Sequence, residues 1–360
     1  LYTKDEKPDV CLSCFLLLLD IIRVTTFFRG GIKDLIIVTG GAGFIGSAVC
    51  WGLNKRGIDN ILIVDSLGDD DKWKNIRGLK FSDYIEKDAF IEKIIEGKLD
   101  FAIEIIFHLG ACSDTLCRDA RFFIFNNYEY SKELAMFCIK KNIRFIYASS
   151  AATYGDGGAG YEDDEDRLET LRPLNMYGYS KQLFDLWAKK QGILKNIVGL
   201  KYFNVFGPNE YHKAEMRSKI LKAFYEIKET GKIKLFKSYR KEYRDGYQKR
   251  DFLYIKDAVD MTLFFMDKID KNGIYNIGEG KARAWIDLAN AVFGALGKKT
   301  EIEFIDMPED LKDRYQYFTE ADISKIRRAG YKENIMSFED AVKDYVCNYL
   351  IHHKHLDFAD

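Results

Sequence analysis

The sequence predicts an α/β fold, a doubly wound parallel Rossmann sheet with a smaller, interleaved C-terminal substrate domain. Three observations lead there. Short continuous apolar runs recur along the chain, as strands buried on both faces require. Helix-like stretches separate those runs. A glycine-rich turn joins the first run to the first helical stretch.

Taken in order, Leu35-Ile36-Ile37-Val38 is the first strand, and a helical stretch follows from Phe44 to Lys55. Ile61-Leu62-Ile63-Val64 is the second strand. Ile105-Ile106-Phe107-His108-Leu109 and Phe145-Ile146-Tyr147-Ala148 are later ones, with a helix-like segment from Tyr128 to Lys140 between them. Strands alternating with helices imply right-handed crossovers and parallel pairing. Beyond Asn204 the rhythm breaks. Segment 205–250 is polar and basic, 251–280 returns to strand-like and helix-like runs, and 301–330 is mixed. The pieces predict a nucleotide-binding domain from 34–202 and 251–277, and a substrate-binding domain from 203–250 and 278–360.

Residues 1–33 stand apart from this pattern. The run Cys11 to Leu19 is apolar but short, and Asp20 and Arg23 end it before the roughly 20 apolar residues a membrane helix needs. Lys4, Lys7, Asp5, Glu6 and Asp9 mix signs where a secretory signal carries a basic head. We expect an extension preceding the enzyme domain. The 55 Lys+Arg against 56 Asp+Glu give a net charge of −1, which disfavours a nucleic-acid binder. The 7 cysteines are odd in number and scattered, as in a cytoplasmic chain with reduced thiols. No Cys/His cluster has ligand spacing, so no metal site is expected.

The turn Thr39-Gly40-Gly41-Ala42-Gly43-Phe44-Ile45-Gly46 holds glycines at 40, 41, 43 and 46. Early glycines let backbone approach a pyrophosphate, the last lets helix pack on sheet, and the helix N-terminus supplies N–H donors. Asp65 closes the next strand, where a carboxylate meets an adenosine ribose. Alone, Asp65 favours NAD; Lys72 and Lys87 nearby would favour NADP by pairing with a 2′-phosphate, and the spacing leaves both open.

Tyr177 and Lys181 lie four apart, on one helix face. A nearby ammonium lowers the phenol's pKa from about 10 toward a useful acid–base range. Ser150, after the Phe145–Ala148 strand, is placed to hydrogen-bond a reacting hydroxyl.

These residues, with several longer stretches, resemble the extended short-chain dehydrogenase/reductase family, and within it the nucleotide-sugar 6-epimerases. The stretches are Gly110-Ala111-Cys112-Ser113, Ala148 to Gly155, Pro173 to Lys181, Tyr202 to Pro208, His212-Lys213, Lys249 to Phe252 and Arg314-Tyr315-Gln316. The resemblance spans nearly everything from Asp34 onward. It implies NADP as cofactor, lined by Gly40, Gly43, Phe44, Ile45, Gly46, Asp65, Ser66, Lys72, Lys87, Leu109, Gly110, Ala111, Cys112, Ser113, Asn126, Lys181, Val205 and Lys213. Ser150, Asn204, Glu215, Lys222, Phe236, Arg250 and Tyr315 would hold the substrate, and Tyr177 and Lys213 would be bases on opposite faces of the sugar. The implied reaction is inversion at C6 of the heptose in ADP-D-glycero-D-manno-heptose, for lipopolysaccharide core synthesis, in a cytoplasmic homo-oligomer without nucleic-acid or membrane partners.

Three positions depart from the family pattern. Ser66 stands where Asn is usual, Glu215 where a substrate-contacting Ser is usual, and Lys222 replaces a substrate-contacting His. Among rivals, a 4,6-dehydratase carries Asp-Glu after its catalytic Ser/Thr, where this chain has Ala151-Ala152. A UDP-hexose 4-epimerase keeps the same Tyr/Lys pair. A regulator that senses NADP without turnover usually loses that pair, which is intact. The basic stretch from Lys232 to Arg250 holds eight Lys/Arg. Arg250 is expected as a fork-shaped diphosphate ligand, the others as solvated charges.

Overall fold

A computed structural model describes residues 35–99, 102–115, 117, 119–312 and 315–359. The extension expected at 1–33 lies outside the described residues, as does Arg314 of the Arg314-Tyr315-Gln316 motif.

Seven strands form the main sheet: β1 (Leu35–Thr39), β2 (Ile61–Asp65), β3 (Asp83–Glu86), β4 (Ile103–His108), β5 (Arg144–Ser150), β6 (Val198–Tyr202) and β10 (Gly273–Ile277). Their order is β10-β6-β5-β4-β1-β2-β3, and every neighbouring pair is parallel. The apolar runs read from the sequence lie inside it, and β2 and β6, each next to an edge strand, are buried along their whole length. Parallel pairing demands crossovers, and these are α1 (Phe44–Lys55), α2 (Lys87–Ile95), α3 (Tyr130–Lys141) and α4 (Met176–Lys190). One structural difference from the expected helix at 128–140 has a cause: the chain winds as a π-helix over Ile124–Glu129 before α3 begins. The wider turn brings Asn127 inward, where it is fully buried.

The polar stretch 205–250 is structured. It holds β7 (Asn204–Phe206), α5 (Lys219–Thr230) and β8 (Ile233–Phe236). The Ser218 hydroxyl accepts the Leu221 N–H at the start of α5, and Gly231 (φ +77°) closes its end. β9 (Lys249–Tyr254) pairs parallel with β7 and antiparallel with β11 (Ala282–Ala284). β8 pairs parallel with β12 (Ile302–Ile305). β9 thus crosses the boundary read at 250/251 and stands whole in the small sheet. α6 (Ile255–Asp267) then returns the chain to β10 in the main sheet. α6 packs so closely on α1 that a Cβ on Gly52 would lie 2.4 Å from Val259 Cγ1. Helices α7 (Trp285–Ala295) and α8 (Phe338–Asp344) complete the C-terminal part. No helix among the described residues is long and apolar enough to cross a membrane.

An edge strand of a parallel sheet exposes N–H groups that invite a second strand. On β10 the acidic run 162–166 covers them. Glu165 accepts the Ile274 N–H at 2.9 Å, and Asp163 accepts the Asn276 N–H at 2.8 Å. Lys325 ties the arrangement down, bonding Glu165 at 2.9 Å and the Ile274 carbonyl at 2.8 Å.

Burial pushes the Asp163 carboxyl up to about 6. A raised carboxyl stabilises the fold below its ordinary range and loses that contribution as pH rises through about 6. Asp163→Asn keeps an acceptor for Asn276 and removes the charge. It is expected to stabilise the protein at pH 7 by about 2 kcal/mol and to confer no gain near pH 4. Urea unfolding at the two pH values checks this.

Candidate active site

The carboxyl ends of the parallel strands share one edge of the sheet, and the predicted residues gather there. At β1 the chain turns sharply. The Gly40 N–H bonds the Val64 carbonyl at 2.7 Å, and the Gly43 N–H bonds the Gly40 carbonyl at 2.9 Å. A Cβ on Gly46 would lie 2.0 Å from the Gly40 oxygen, and one on Gly40 (φ +67°) 2.6 Å from Gly110. Backbone has replaced side chain here, so a ligand can approach main-chain N–H groups directly. Gly43 precedes α1 with no side chain capping its N–H groups, which suits an anionic pyrophosphate.

Asp65 ends β2 and is buried. Its carboxylate accepts the Ala42 N–H at 2.9 Å and the Ser66 N–H at 2.7 Å. Lys72 pairs with it at 3.0 Å and also bonds the Ser66 carbonyl at 2.7 Å. Lys87 stands at the start of α2, half-exposed, against Asp88 at 2.6 Å. After β4, the Leu109 N–H bonds the Thr39 carbonyl at 3.1 Å and the Gly110 N–H bonds the Thr39 hydroxyl at 3.3 Å. Cys112 is held at both main-chain atoms: its N–H donates to Asn127 Oδ1 and its carbonyl accepts from Asn127 Nδ2, each at 2.8 Å. Asn126, also predicted to line the cofactor, donates its amide to the Phe122 carbonyl at 2.9 Å. The clamp on Cys112 is the work of its neighbour. Two adjacent asparagines are indistinguishable in sequence, and only the π-helical turn separates their directions. The donor set at this edge (bare N–H groups, a carboxylate at β2, a lysine beside it) fits a dinucleotide.

At β5 and α4 the residues predicted as catalytic converge. Asn175 caps α4 by accepting the Gly178 N–H at 2.8 Å. Tyr177 is half-buried; burial pushes its phenol up, and a hydrogen bond from Ser150 pulls it back. Ser150 also accepts the Ala152 N–H at 3.1 Å. Lys181 is 4% exposed and donates to the Ala148 carbonyl at 2.8 Å. Burial brings its ammonium down to about 8, against the pull of Asp185 and Cys112. His108 lies between the Thr39 hydroxyl at 2.7 Å and the Ser131 hydroxyl at 2.8 Å. Burial and the nearby Lys181 push it down to about 3, so it stands neutral as a brace between β1, β4 and α3.

Lys213 comes from the short helical segment Tyr211–Met216, where Ala214 takes a left-handed φ of +43°. Its ammonium sits 5.1 Å from the Phe44 ring centre, beside the glycine turn. Burial pushes it down and Glu210 pulls it up. The segment is anchored through Asn75, whose amide reaches the Ala42 carbonyl at 2.9 Å, the Asn209 carbonyl at 3.1 Å and His212 Nδ1 at 3.1 Å.

Three predicted substrate residues meet at the small sheet. The Arg250 guanidinium lies 5.3 Å from the Tyr315 ring and 5.6 Å from Trp285, and Phe236 meets Tyr315 edge-on at 6.2 Å. Trp285 Nε1–H donates to the Tyr315 hydroxyl at 2.8 Å. Arg250 is 8% exposed, with the Lys249 carbonyl at 2.8 Å. A buried cation on an aromatic floor suits a diphosphate. Asn204 donates its amide to the Asp251 carbonyl at 2.9 Å and stands exposed. Two of the three family departures turn out to be partners: Lys222 bonds the Glu215 carboxylate at 3.0 Å and its backbone carbonyl at 2.7 Å. Among the described residues, no group of His, Cys, Asp and Glu is arranged to hold a metal ion.

The crowding at Gly46 predicts that Gly46→Ala drives the Gly40 carbonyl into the nucleotide cradle. The variant should purify with little bound dinucleotide, read by absorbance of the supernatant after denaturation. Full occupancy would contradict the assignment of this turn.

Residues 36–278 match the model of the NAD dependent epimerase/dehydratase family. The chain is 50% identical over 316 residues to ADP-L-glycero-D-manno-heptose-6-epimerase of Nitratidesulfovibrio vulgaris, covering 88% of this chain and 98% of that protein. It is 52% identical over 325 residues to the Fusobacterium nucleatum protein of the same name, again covering 88% and 98%. The crystal structure of Helicobacter pylori ADP-L-glycero-D-manno-heptose-6-epimerase superposes with a TM-score of 0.73 at 26% identity, over 89% of this chain and 99% of that one. On the family model and these identities, the chain belongs to the NAD dependent epimerase/dehydratase family.

Proposed function

We propose that this chain inverts C6 of the heptose in ADP-D-glycero-D-manno-heptose, using NADP that stays bound through the cycle. The observation that carries the reading is the 50% and 52% identity, over 88% of the chain, to proteins named for that epimerisation. The geometry supports it. Lys72 already neutralises Asp65, the carboxylate that would otherwise repel a 2′-phosphate, and Lys87 adds a second cation. Arg250 and its aromatic floor would take the diphosphate, with Asn204, Phe236 and Tyr315 around the nucleotide sugar. The Glu215–Lys222 pair would stand at the rim in place of the usual Ser and His.

The mechanism follows from the acid–base groups. Tyr177, with its phenolate favoured by the Lys181 ammonium and the Ser150 hydroxyl, takes the proton of the C6 hydroxyl. A nicotinamide held by the glycine turn, Asp65 and Lys181 would supply the acceptor for the C6 hydride and the donor to the other face of the resulting ketone. Between the two transfers the ketone turns, and its oxygen then points to a different acid. Lys213 protonates it from that side; in the reverse direction the two groups exchange roles. Net redox change is zero. We place the enzyme in the cytoplasm as a homo-oligomer, with the nucleotide sugar as its partner.

Incubation of the loaded protein with ADP-D-glycero-D-manno-heptose, followed by NMR of the C6 configuration, tests the reading. Conversion of UDP-galactose alone would move it to a hexose 4-epimerase. Tyr177→Phe and Lys213→Met should each lower turnover by about 10²–10⁴ while leaving the melting temperature near wild type. Lys72→Ala should weaken NADP binding and leave NAD binding little changed, measured by calorimetry on the cofactor-free protein.

A further inference from the structure

Beneath the catalytic residues lies a second charged pair that the reaction does not use. Asp185 and Lys201 are both 0% exposed. They meet at 2.8 Å. Asp185 is one turn beyond Lys181 on α4, so the two side chains share a helix face. Its carboxylate is fully engaged. Oδ1 accepts from the Tyr147 hydroxyl at 2.9 Å, and Oδ2 accepts from the Ser149 hydroxyl and the Lys201 ammonium, both at 2.8 Å. Lys201 also donates to the Thr153 hydroxyl at 2.6 Å, and Thr153 donates in turn to the Ser150 carbonyl at 2.8 Å. Its ammonium lies 5.2 Å from the Tyr154 ring centre.

The pair therefore touches the elements that carry Ser150, Tyr177 and Lys181. It reaches α4 through Asp185, β5 through Tyr147 and Ser149, the turn after β5 through Thr153, and β6 through Lys201. Ala148, whose carbonyl holds Lys181, lies between Tyr147 and Ser149. A buried ion pair of this kind contributes little net stability, since desolvation offsets the attraction. What it does supply is a fixed field. Facing Lys181 are His108 on β4, Cys112 in the loop after β4, Asp185 on its own helix and, behind Asp185, Lys201 on β6; Tyr177 lies one turn before Lys181 on the same helix face. His108 stands neutral, and Asp185 is the carboxylate in that set.

We propose that Asp185 and Lys201 are positioning residues that set the proton affinity of the Lys181–Tyr177 couple. Asp185 supports the Lys181 ammonium against its burial, and Lys201 cancels enough of that carboxylate to keep the Tyr177 phenolate accessible. The inference rests on the reading of Tyr177 and Lys181 as the acid–base couple.

The test is a titration of Tyr177 in NADP-loaded protein, read as the ultraviolet difference between each variant and the same variant carrying Tyr177→Phe. Lys201→Gln leaves the carboxylate uncompensated and should raise the Tyr177 midpoint by about one unit. Asp185→Asn leaves the ammonium uncompensated and should lower it by a similar amount. Lys201→Arg, and the double variant Asp185→Asn with Lys201→Gln, should lie near wild type, because each restores the charge balance. A purely structural pair would not give shifts of opposite sign. Unchanged midpoints in the folded single variants, or shifts in one common direction, overturn the proposal. Should either single variant not fold, Ser149→Ala keeps both charges and removes one donor from the carboxylate. It should move the midpoint upward, and an unmoved midpoint there overturns the proposal as well. The titration needs no sugar, so it is read whether or not ADP-heptose is turned over; absence of turnover in the wild type would count against the epimerase reading alone.

Discussion

Seven strands running in one direction are the constraint on which the site depends. In a parallel sheet every carboxyl end falls on the same edge, so loops from distant stretches of sequence meet there without further design. The glycine turn leaves β1, Asp65 ends β2, Leu109 and Gly110 follow β4, and Ser150 ends β5. The close approach of Gly40 to Gly110 draws two of those segments together, and its approach to Gly46 seats α1 on the turn. A side chain at any of these glycines would push apart the elements that the sheet assembles.

Lysine burial shows how the same cation is used in different ways. Lys181 is deprived of water and given one carbonyl at 2.8 Å, which leaves its proton loosely held. Lys201, one strand away, is buried as deeply but fully partnered by Asp185 and Thr153. Lys213 is held between the two cases, beside an aromatic ring and within reach of the Glu210 charge. Lys181 thus keeps a single carbonyl partner, while Lys201 is saturated by a carboxylate and a hydroxyl. His108 completes the pattern: placed between two hydroxyls and pushed down to about 3, it braces three elements without adding charge beside Lys181.

Much of this was legible in the sequence where the physics is local. The run Leu35 to Val38, the glycine turn and the helix beginning at Phe44 lie within a few residues of one another, and their pattern specifies strand, turn and helix together. Tyr177 and Lys181 declare a shared face by a spacing of four. The Asp185–Lys201 pair was not legible, because it forms only when α4 and β6 pack, and neither residue differs in sequence from an ordinary surface charge. The acidic run 162–166 carries no periodic pattern in sequence, yet Asp163 and Glu165 cap the edge of β10, more than a hundred positions further along the chain. Glu215 and Lys222, which look like two separate departures from the family pattern, are one ion pair. Long-range partnership of polar groups leaves no periodic trace, whereas burial of apolar groups does.

The central claim is that a hydride leaves C6 and returns to the opposite face of the same carbon, with Tyr177 and Lys213 handling the hydroxyl proton from two sides. The most direct measurement uses ADP-D-glycero-D-manno-heptose carrying deuterium at C6, turned over in ordinary water by the cofactor-loaded protein. The account predicts inverted product that retains its deuterium at C6. Inverted product with hydrogen at C6 would contradict it, since the carbon-bound atom would then have exchanged with solvent through a carbanion-like step.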